Sequence, residues 1–269
     1  MEIGVYMTLL AILAATLLAG VGSVWLAALL GFGILARYTQ HMLSLAAGAL
    51  LATAFMHLLP EAFESQVGPD QLFPTLLAGL IFFFLLDKAE LWHHGHEHHH
   101  GHHHNHDAHD AHDGHQHRSG GSWAILTGDS VHCFGDGVLI ASAFVADMRL
   151  GVVAALAVLM HEVPHHMGDL AVLRQASDNR RMALLKVSLA GAVTAMGGLV
   201  GYFLVAQLHD YLPYFLAIAA SSFLYVALAD LIPQLQKKLS ARETAAQILW
   251  LAIGMGMVTL ASSLTHGSH

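Results

Sequence analysis

Eight long apolar runs separated by short polar stretches cover most of the chain, near residues 4–32, 42–63, 72–92, 123–147, 150–173, 183–208, 213–235 and 245–265. Each is close to the roughly twenty residues that a helix needs to cross a hydrocarbon core of about 30 Å. The pattern therefore predicts an all-α polytopic membrane protein with eight transmembrane helices in a single transmembrane domain over 1–269. The first run is too long for a signal peptide and lacks a basic leader, Glu2 being the only charge before Arg37, so it is read as a retained helix. Composition supports this reading. The chain is 55% hydrophobic and only 11% charged, whereas a soluble domain carries roughly a quarter charged residues to solvate its surface.

The eleven basic residues are distributed unevenly among the connections. Arg37 follows helix 1, Lys88 and Arg118 flank the connection after helix 3, Arg174, Arg180, Arg181 and Lys186 follow helix 5, and Lys237, Lys238 and Arg242 follow helix 7. Only Arg149, in the tight turn after helix 4, falls on the opposite side. Because cytoplasmic loops retain Lys and Arg, this predicts eight spans with both termini outside. The basic residues sit beside membrane ends and line no binding face, so the net charge of −8 carries no nucleic-acid signal. Cys133 is the only cysteine and excludes an intramolecular disulfide. No Asn-x-Ser/Thr sequon is present, which favours a prokaryotic or intracellular membrane over a glycosylated surface, with a prokaryotic cytoplasmic (inner) membrane as the expectation.

One segment, 93–117, has low complexity and holds fourteen of the twenty-three histidines among Gly, Asp, Glu97, Asn105 and Gln116. It cannot build a core, and its donors suit a disordered cytoplasmic loop that binds metal, for sensing or buffering and not for permeation. A solvated linker is the plainer alternative. A shorter echo joins His57-Leu58-Leu59-Pro60-Glu61, ending helix 2, to Asp230-Leu231-Ile232-Pro233-Gln234, ending helix 7. These helices run in opposite directions, which suggests inverted repeats of helices 1–3 and 6–8 with helices 4 and 5 between them. Leu-x-Pro is also a common helix terminator.

Ionisable residues within a bilayer are costly unless paired or wetted, and helices 4 and 5 are dense with them. In helix 4, spacings of three and four place Asp129, His132, Cys133 and Asp136 on one face. In helix 5, His161, His165 and Asp169 follow one stripe, and Glu162 and His166 an adjacent one. The turn between the helices is short, so they must lie antiparallel with these residues at comparable depth. Imidazole, carboxylate and thiol together suit Zn²⁺, with Fe²⁺, Mn²⁺ and Cd²⁺ as alternatives, whereas Mg²⁺ and Ca²⁺ prefer oxygen alone. Pro164 withholds a donor from the carbonyl of Met160, and Gly135 and Gly137 thin helix 4 for close approach. His57 and Glu61, near the outer end of helix 2, could line a route to the site or could simply snorkel or cap.

These residues together resemble the ZIP (Zrt- and Irt-like) divalent metal-ion transporters, in the branch with His-Glu-x-Pro-His in helix 5. The resemblance is carried by His57-Leu58-Leu59-Pro60-Glu61, the His-rich connection after helix 3, and His132-Cys133-Phe134-Gly135-Asp136-Gly137. It is carried further by His161-Glu162-Val163-Pro164-His165 with Gly168-Asp169, and by Phe223-Leu224-Tyr225-Val226-Ala227-Leu228. It implies a 3+2+3 arrangement, uptake of divalent metal into the cytoplasm, a binuclear centre between helices 4 and 5, and a homodimer. It also implies that His132, Asp136, His161, Glu162 and His165 form the main transport site, with Glu162 and His165 facing a second ion. The family usually has Asn where Cys133 stands, and Glu is common in this branch at His166.

There is no phosphate-binding Gly-x-x-x-x-Gly-Lys-Ser/Thr loop. The membrane field could suffice, since two charges moving inward at about 100 mV release roughly 4 to 5 kcal/mol. Two other classes share features with this chain. An intramembrane zinc metalloprotease would use His161-Glu162-x-x-His165 with Glu162 as general base, but Pro164 and the helix 4 donors fit ion passage better. A metal exporter could also carry a His-rich loop, though with six helices and paired His-x-x-x-Asp motifs. Transport is thus the expected function, with no enzymatic activity and Zn²⁺ as cargo.

Overall fold

In the computed structural model the described residues are 2–30, 32–95, 119–176, 179–236 and 239–266. Residues 96–117 of the His-rich segment, and the expectation placed on them, lie outside these. Among the described residues, eight helices are long and apolar enough to cross a membrane: α1 (Tyr6–Leu30), α2 (Tyr38–Phe63), α3 (Pro69–Leu86), α4 (Leu126–Ala146), α5 (Met148–Ala171), α6 (Arg180–Gln207), α7 (His209–Leu235) and α8 (Ala241–Ser263). No strand forms among the described residues. The protein is an all-α polytopic membrane protein, and each expected apolar run coincides with one helix.

Burial divides the helices into two kinds. In α2 and α5, 67% of the most apolar stretch is buried inside the protein, against 11% in α3 and α8. The first pair is therefore central, and the second presents its Leu, Ile and Phe side chains outward, where a bilayer would cover them. Packing follows a pseudosymmetric scheme. Helix α3 packs on α7 as α8 packs on α2, α4 packs on α6 as α5 packs on α1, and α2 packs on α5 as α7 packs on α4. Exchanging helices 1 with 6, 2 with 7, 3 with 8 and 4 with 5 maps each contact onto its counterpart.

The echo between helices 2 and 7 has a local structural meaning. Both helices widen into a π turn immediately before their prolines, over Ala54–Leu58 and Val226–Leu231. The N–H of Leu59 bonds the carbonyl of Ala54, and that of Ile232 bonds the carbonyl of Ala227, each five residues back. Pro60 and Pro233 cause this. A proline ring collides with the carbonyl four residues earlier and donates nothing to it, so the preceding turn opens.

The connection between α4 and α5 is as tight as expected. Asp147 alone breaks the helical run, and its carboxylate accepts from the backbone N–H of Arg149 at 2.8 Å and of Leu150 at 3.2 Å. It thereby caps α5 at once and folds it back along α4. Small residues set the remaining helix distances. A Cβ added at Gly48 would overlap the carbonyl of Leu251 on α8, and one at Gly254 would overlap that of Leu45 on α2. The same holds for Gly137 against Thr194 and for Gly197 against Phe134, which locks α4 to α6. Without a hydrophobic driving force between helices in lipid, such close backbone contact is a main source of association. Gly135 differs from its neighbour, because nothing lies within 4 Å of where its Cβ would be.

Candidate metal centre

The α4/α5 hairpin brings nine donor residues together in three contiguous groups: His132, Asp136, His161 and Glu162; Asp129, Cys133, Glu162 and His166; and Asp129, His165 and Asp169. Helical periodicity on two antiparallel helices produces this. Two turns along α4 lead from Asp136 through His132 and Cys133 to Asp129, while two turns along α5 lead from His161 and Glu162 through His165 and His166 to Asp169.

In the first group, His161 Nε2 lies 3.1 Å from Asp136 Oδ2 and 3.4 Å from Glu162 Oε1, and His132 Nε2 lies 3.3 Å from the same Glu162 oxygen and 3.8 Å from Asp136 Oδ2. A tetrahedral metal with arms of about 2.0 to 2.1 Å has donors about 3.4 Å apart. The four atoms thus have the spacing of a metal shell. They are all buried, and none has a hydrogen-bond partner.

Tautomers sharpen the point. His161 Nδ1 is 3.2 Å from the carbonyl of Ala157, which can only accept, so Nδ1 carries the proton. When the ring is neutral, the lone pair at Nε2 faces two carboxylate oxygens, an arrangement of acceptors facing acceptors that a metal ion between them, or a proton on Nε2, relieves. His166 reaches the same state by another route. The hydroxyl of Ser23, on α1, donates to the carbonyl of Gly20 at 2.6 Å, so it can only accept from His166 Nδ1, 2.9 Å away. The lone pair at His166 Nε2 accordingly faces Glu162 Oε2 at 3.1 Å.

Cys133 Sγ completes the second group, 3.7 Å from Asp129 Oδ1, 3.8 Å from Glu162 Oε2 and 3.9 Å from His166 Nε2. Glu162 therefore turns one oxygen to each group and bridges them. In the third, His165 Nδ1 lies 3.5 Å from Asp129 Oδ1 and 3.4 Å from Asp169 Oδ2. Its side chains are more open, 38% exposed at His165 and 13% at Asp169 against 1% at Glu162. Among the described residues, every ion-pair contact of these carboxylates is to a histidine. Buried carboxylates without Lys or Arg call for another positive charge.

Nine of the eleven residues singled out from the sequence meet here. The geometry associates His165 with Asp129 and Asp169, not with His161, although its ring stacks on that of His132 at 5.3 Å between centroids. His57 lies in the π turn of α2 and Glu61 is exposed beyond it, and neither belongs to a donor group. Pro164 is buried, and the helix continues through it. Ser23 was not among the residues singled out. A serine in an apolar helix is ordinary in sequence, and only the packing of α1 on α5 reveals its partner. Ser23→Ala is expected to weaken Zn²⁺ binding about tenfold by freeing the His166 ring. Competition against a chromophoric chelator measures this, and an unchanged affinity would remove the positioning role.

A polytopic helical membrane protein with a buried cluster of nine donor side chains has the fold and the side-chain chemistry that a metal-handling membrane protein requires. The ZIP zinc transporter family model matches residues 86–262, and the chain belongs to that family. It is 30% identical to zinc transporter ZIP4 of Homo sapiens, over 84% of this chain and 42% of that protein. It is 27% identical to zinc transporter ZIP13 of Pongo abelii over 84% of this chain and 68% of the relative, and 34% identical to zinc transporter foi of Drosophila melanogaster over 52% and 20%. The chain thus spans less than half the length of human ZIP4.

Proposed function

We propose that this chain carries Zn²⁺ through the membrane into the cytoplasm by way of the α4/α5 donor groups. The observation that carries the reading is the set of four buried, unpartnered atoms, His132 Nε2, Asp136 Oδ2, His161 Nε2 and Glu162 Oε1, converging at metal-shell spacing. Cys133, His166, Asp129, His165 and Asp169 extend it into a row in which each group shares a carboxylate with the next. An ion can then move by exchanging one ligand at a time, without returning to full hydration in a low-dielectric interior. Fe²⁺, Mn²⁺ and Cd²⁺ are secondary candidates as cargo.

Both oxygens of Glu162 face donor groups, which leaves none to act as a general base and supports transport over peptide hydrolysis. The basic connections support both termini outside, and the lack of an Asn-x-Ser/Thr sequon supports a prokaryotic inner membrane. The family resemblance supports a homodimer. His57 and Glu61 are assigned to the approach along α2, and the loop 93–117 to metal buffering beside the single transport domain.

The test is uptake of radioactive Zn²⁺ into proteoliposomes under an imposed membrane potential. Saturable uptake is expected, reduced at least about tenfold by His132→Ala or His161→Ala, and retained when 93–117 is deleted. Uptake insensitive to both alanine variants would refute the site. Loss of uptake on deleting the loop alone would make that segment part of the path.

A further inference from the structure

We infer that the second station is a thiolate site, in which Cys133 binds metal through sulfur and gives this chain a preference for soft ions, Cd²⁺ above all. The inference rests on the reading of α4 and α5 as a metal path and names the chemistry of one station within it.

A buried cysteine is most often a small hydrophobe among other hydrophobes. Cys133 is fully buried, yet its sulfur faces an imidazole nitrogen and two carboxylate oxygens between 3.7 and 3.9 Å away. Sulfur bonds Zn²⁺ at about 2.3 Å against about 2.0 Å for nitrogen, so tetrahedral edges that include sulfur should be the longer ones, near 3.6 Å. The three sulfur edges lie close to that length, while the edges without sulfur are 3.1 Å from His166 Nε2 to Glu162 Oε2 and 3.7 Å from His166 Nε2 to Asp129 Oδ1. Two further observations point to a ligand. Asp129 is 2% exposed and its Oδ2 is buried without a partner. His166 is held by Ser23 with its lone pair toward the station.

The donor set is therefore one thiol, one oriented imidazole and two carboxylates, all from α4 and α5. On binding, the S–H bond of Cys133 breaks, the electron pair remains on sulfur and is shared with the metal, and the proton leaves to water. No oxidant is needed. Thiolate favours Cd²⁺ and Zn²⁺ over Mn²⁺, which prefers oxygen donors.

Cys133 is the only sulfur of its kind in the chain, which makes the test specific. The purified full-length protein is titrated with Co²⁺ and with Cd²⁺, and sulfur-to-metal charge-transfer absorption is followed in the near ultraviolet. The His-rich loop offers nitrogen and oxygen only and cannot contribute such a band. The expected result is a band saturating at one ion per chain. It should be absent in Cys133→Ser and in Cys133→Asn, both of which should still bind metal in competition with a chelator. Cd²⁺ affinity should fall at least about tenfold in Cys133→Ser while Mn²⁺ affinity changes less. A wild type saturated with metal, loop included, that shows no band overturns the inference, as does a band that persists in both variants. Zn²⁺ uptake sensitive to His161→Ala but with no band would leave the proposed function standing and remove the thiolate. A band without uptake would do the reverse.

Discussion

Glu162→Gln is expected to lower Zn²⁺ uptake roughly a hundredfold or more, the largest effect of any single conservative change in this protein. Glutamine has the shape of glutamate, but it offers one oxygen and one NH₂ where the carboxylate offers two oxygens. Whichever way the amide turns, one of the two stations that Glu162 bridges meets an N–H donor in place of a ligand, and both lose a negative charge. The exchange should not harm the fold, since it removes a carboxylate from a buried cluster already holding Asp129 and Asp136. Thermal unfolding separates the two effects. Zn²⁺ at about a hundred times its dissociation constant stabilises the wild type by about 2.7 kcal/mol, and this increment should vanish in the variant while the metal-free melting temperature holds or rises. Uptake within twofold of the wild type would show that Glu162 is not a bridging ligand.

The second large effect concerns the fold. Gly137→Ala is expected to destabilise the protein by about 3 kcal/mol, whereas Gly135→Ala, two residues away, should fall within about 1 kcal/mol and on the stabilising side. A methyl group at 137 would overlap the carbonyl of Thr194 and meet the backbone of Gly197 and Gly198 on α6, none of which can rotate away. Helix α4 must then move, and the donors at 129, 132, 133 and 136 move with it, so metal binding should weaken along with stability. At Gly135 the space is open, and alanine only improves helix propensity. Thermal melts of both variants in detergent test the contrast. Equal melting temperatures would mean that α4 and α6 are not held by this contact.

Much of this was legible because membrane helices leave two strong traces in a sequence. Twenty apolar residues in a row identify a span, and a charged residue inside such a span is costly enough to demand a role. Asp129, His132, Asp136, His161 and Glu162 announced themselves on that basis. Their sharing of faces followed from the helical period, and the antiparallel pairing of α4 and α5 from the short turn around Asp147. The prolines of helices 2 and 7 showed as an echo, though not that each opens a π turn, since proline can also end or kink a helix.

Other features depend on which helix faces which, and no local pattern encodes that. Gly135 and Gly137 look alike in sequence and differ only because α6 passes against one of them. Ser23 lies well over a hundred residues from His166, and only the packing of α1 on α5 makes it the group that orients the ring. His165 is one turn from His161 and reads as its co-ligand, but the rotation of α5 against α4 turns it toward Asp129 and Asp169. The length and hydropathy of the chain determined by themselves that it is a bundle of eight membrane helices, with buried ionisable residues on the fourth and fifth, because the bilayer favours long apolar helices and penalises unpaired charge. How the donors divide into three groups joined by Glu162 and Asp129 was decided only by tertiary structure, since that division rests on ångström-scale rotations and approaches set by small residues on neighbouring helices.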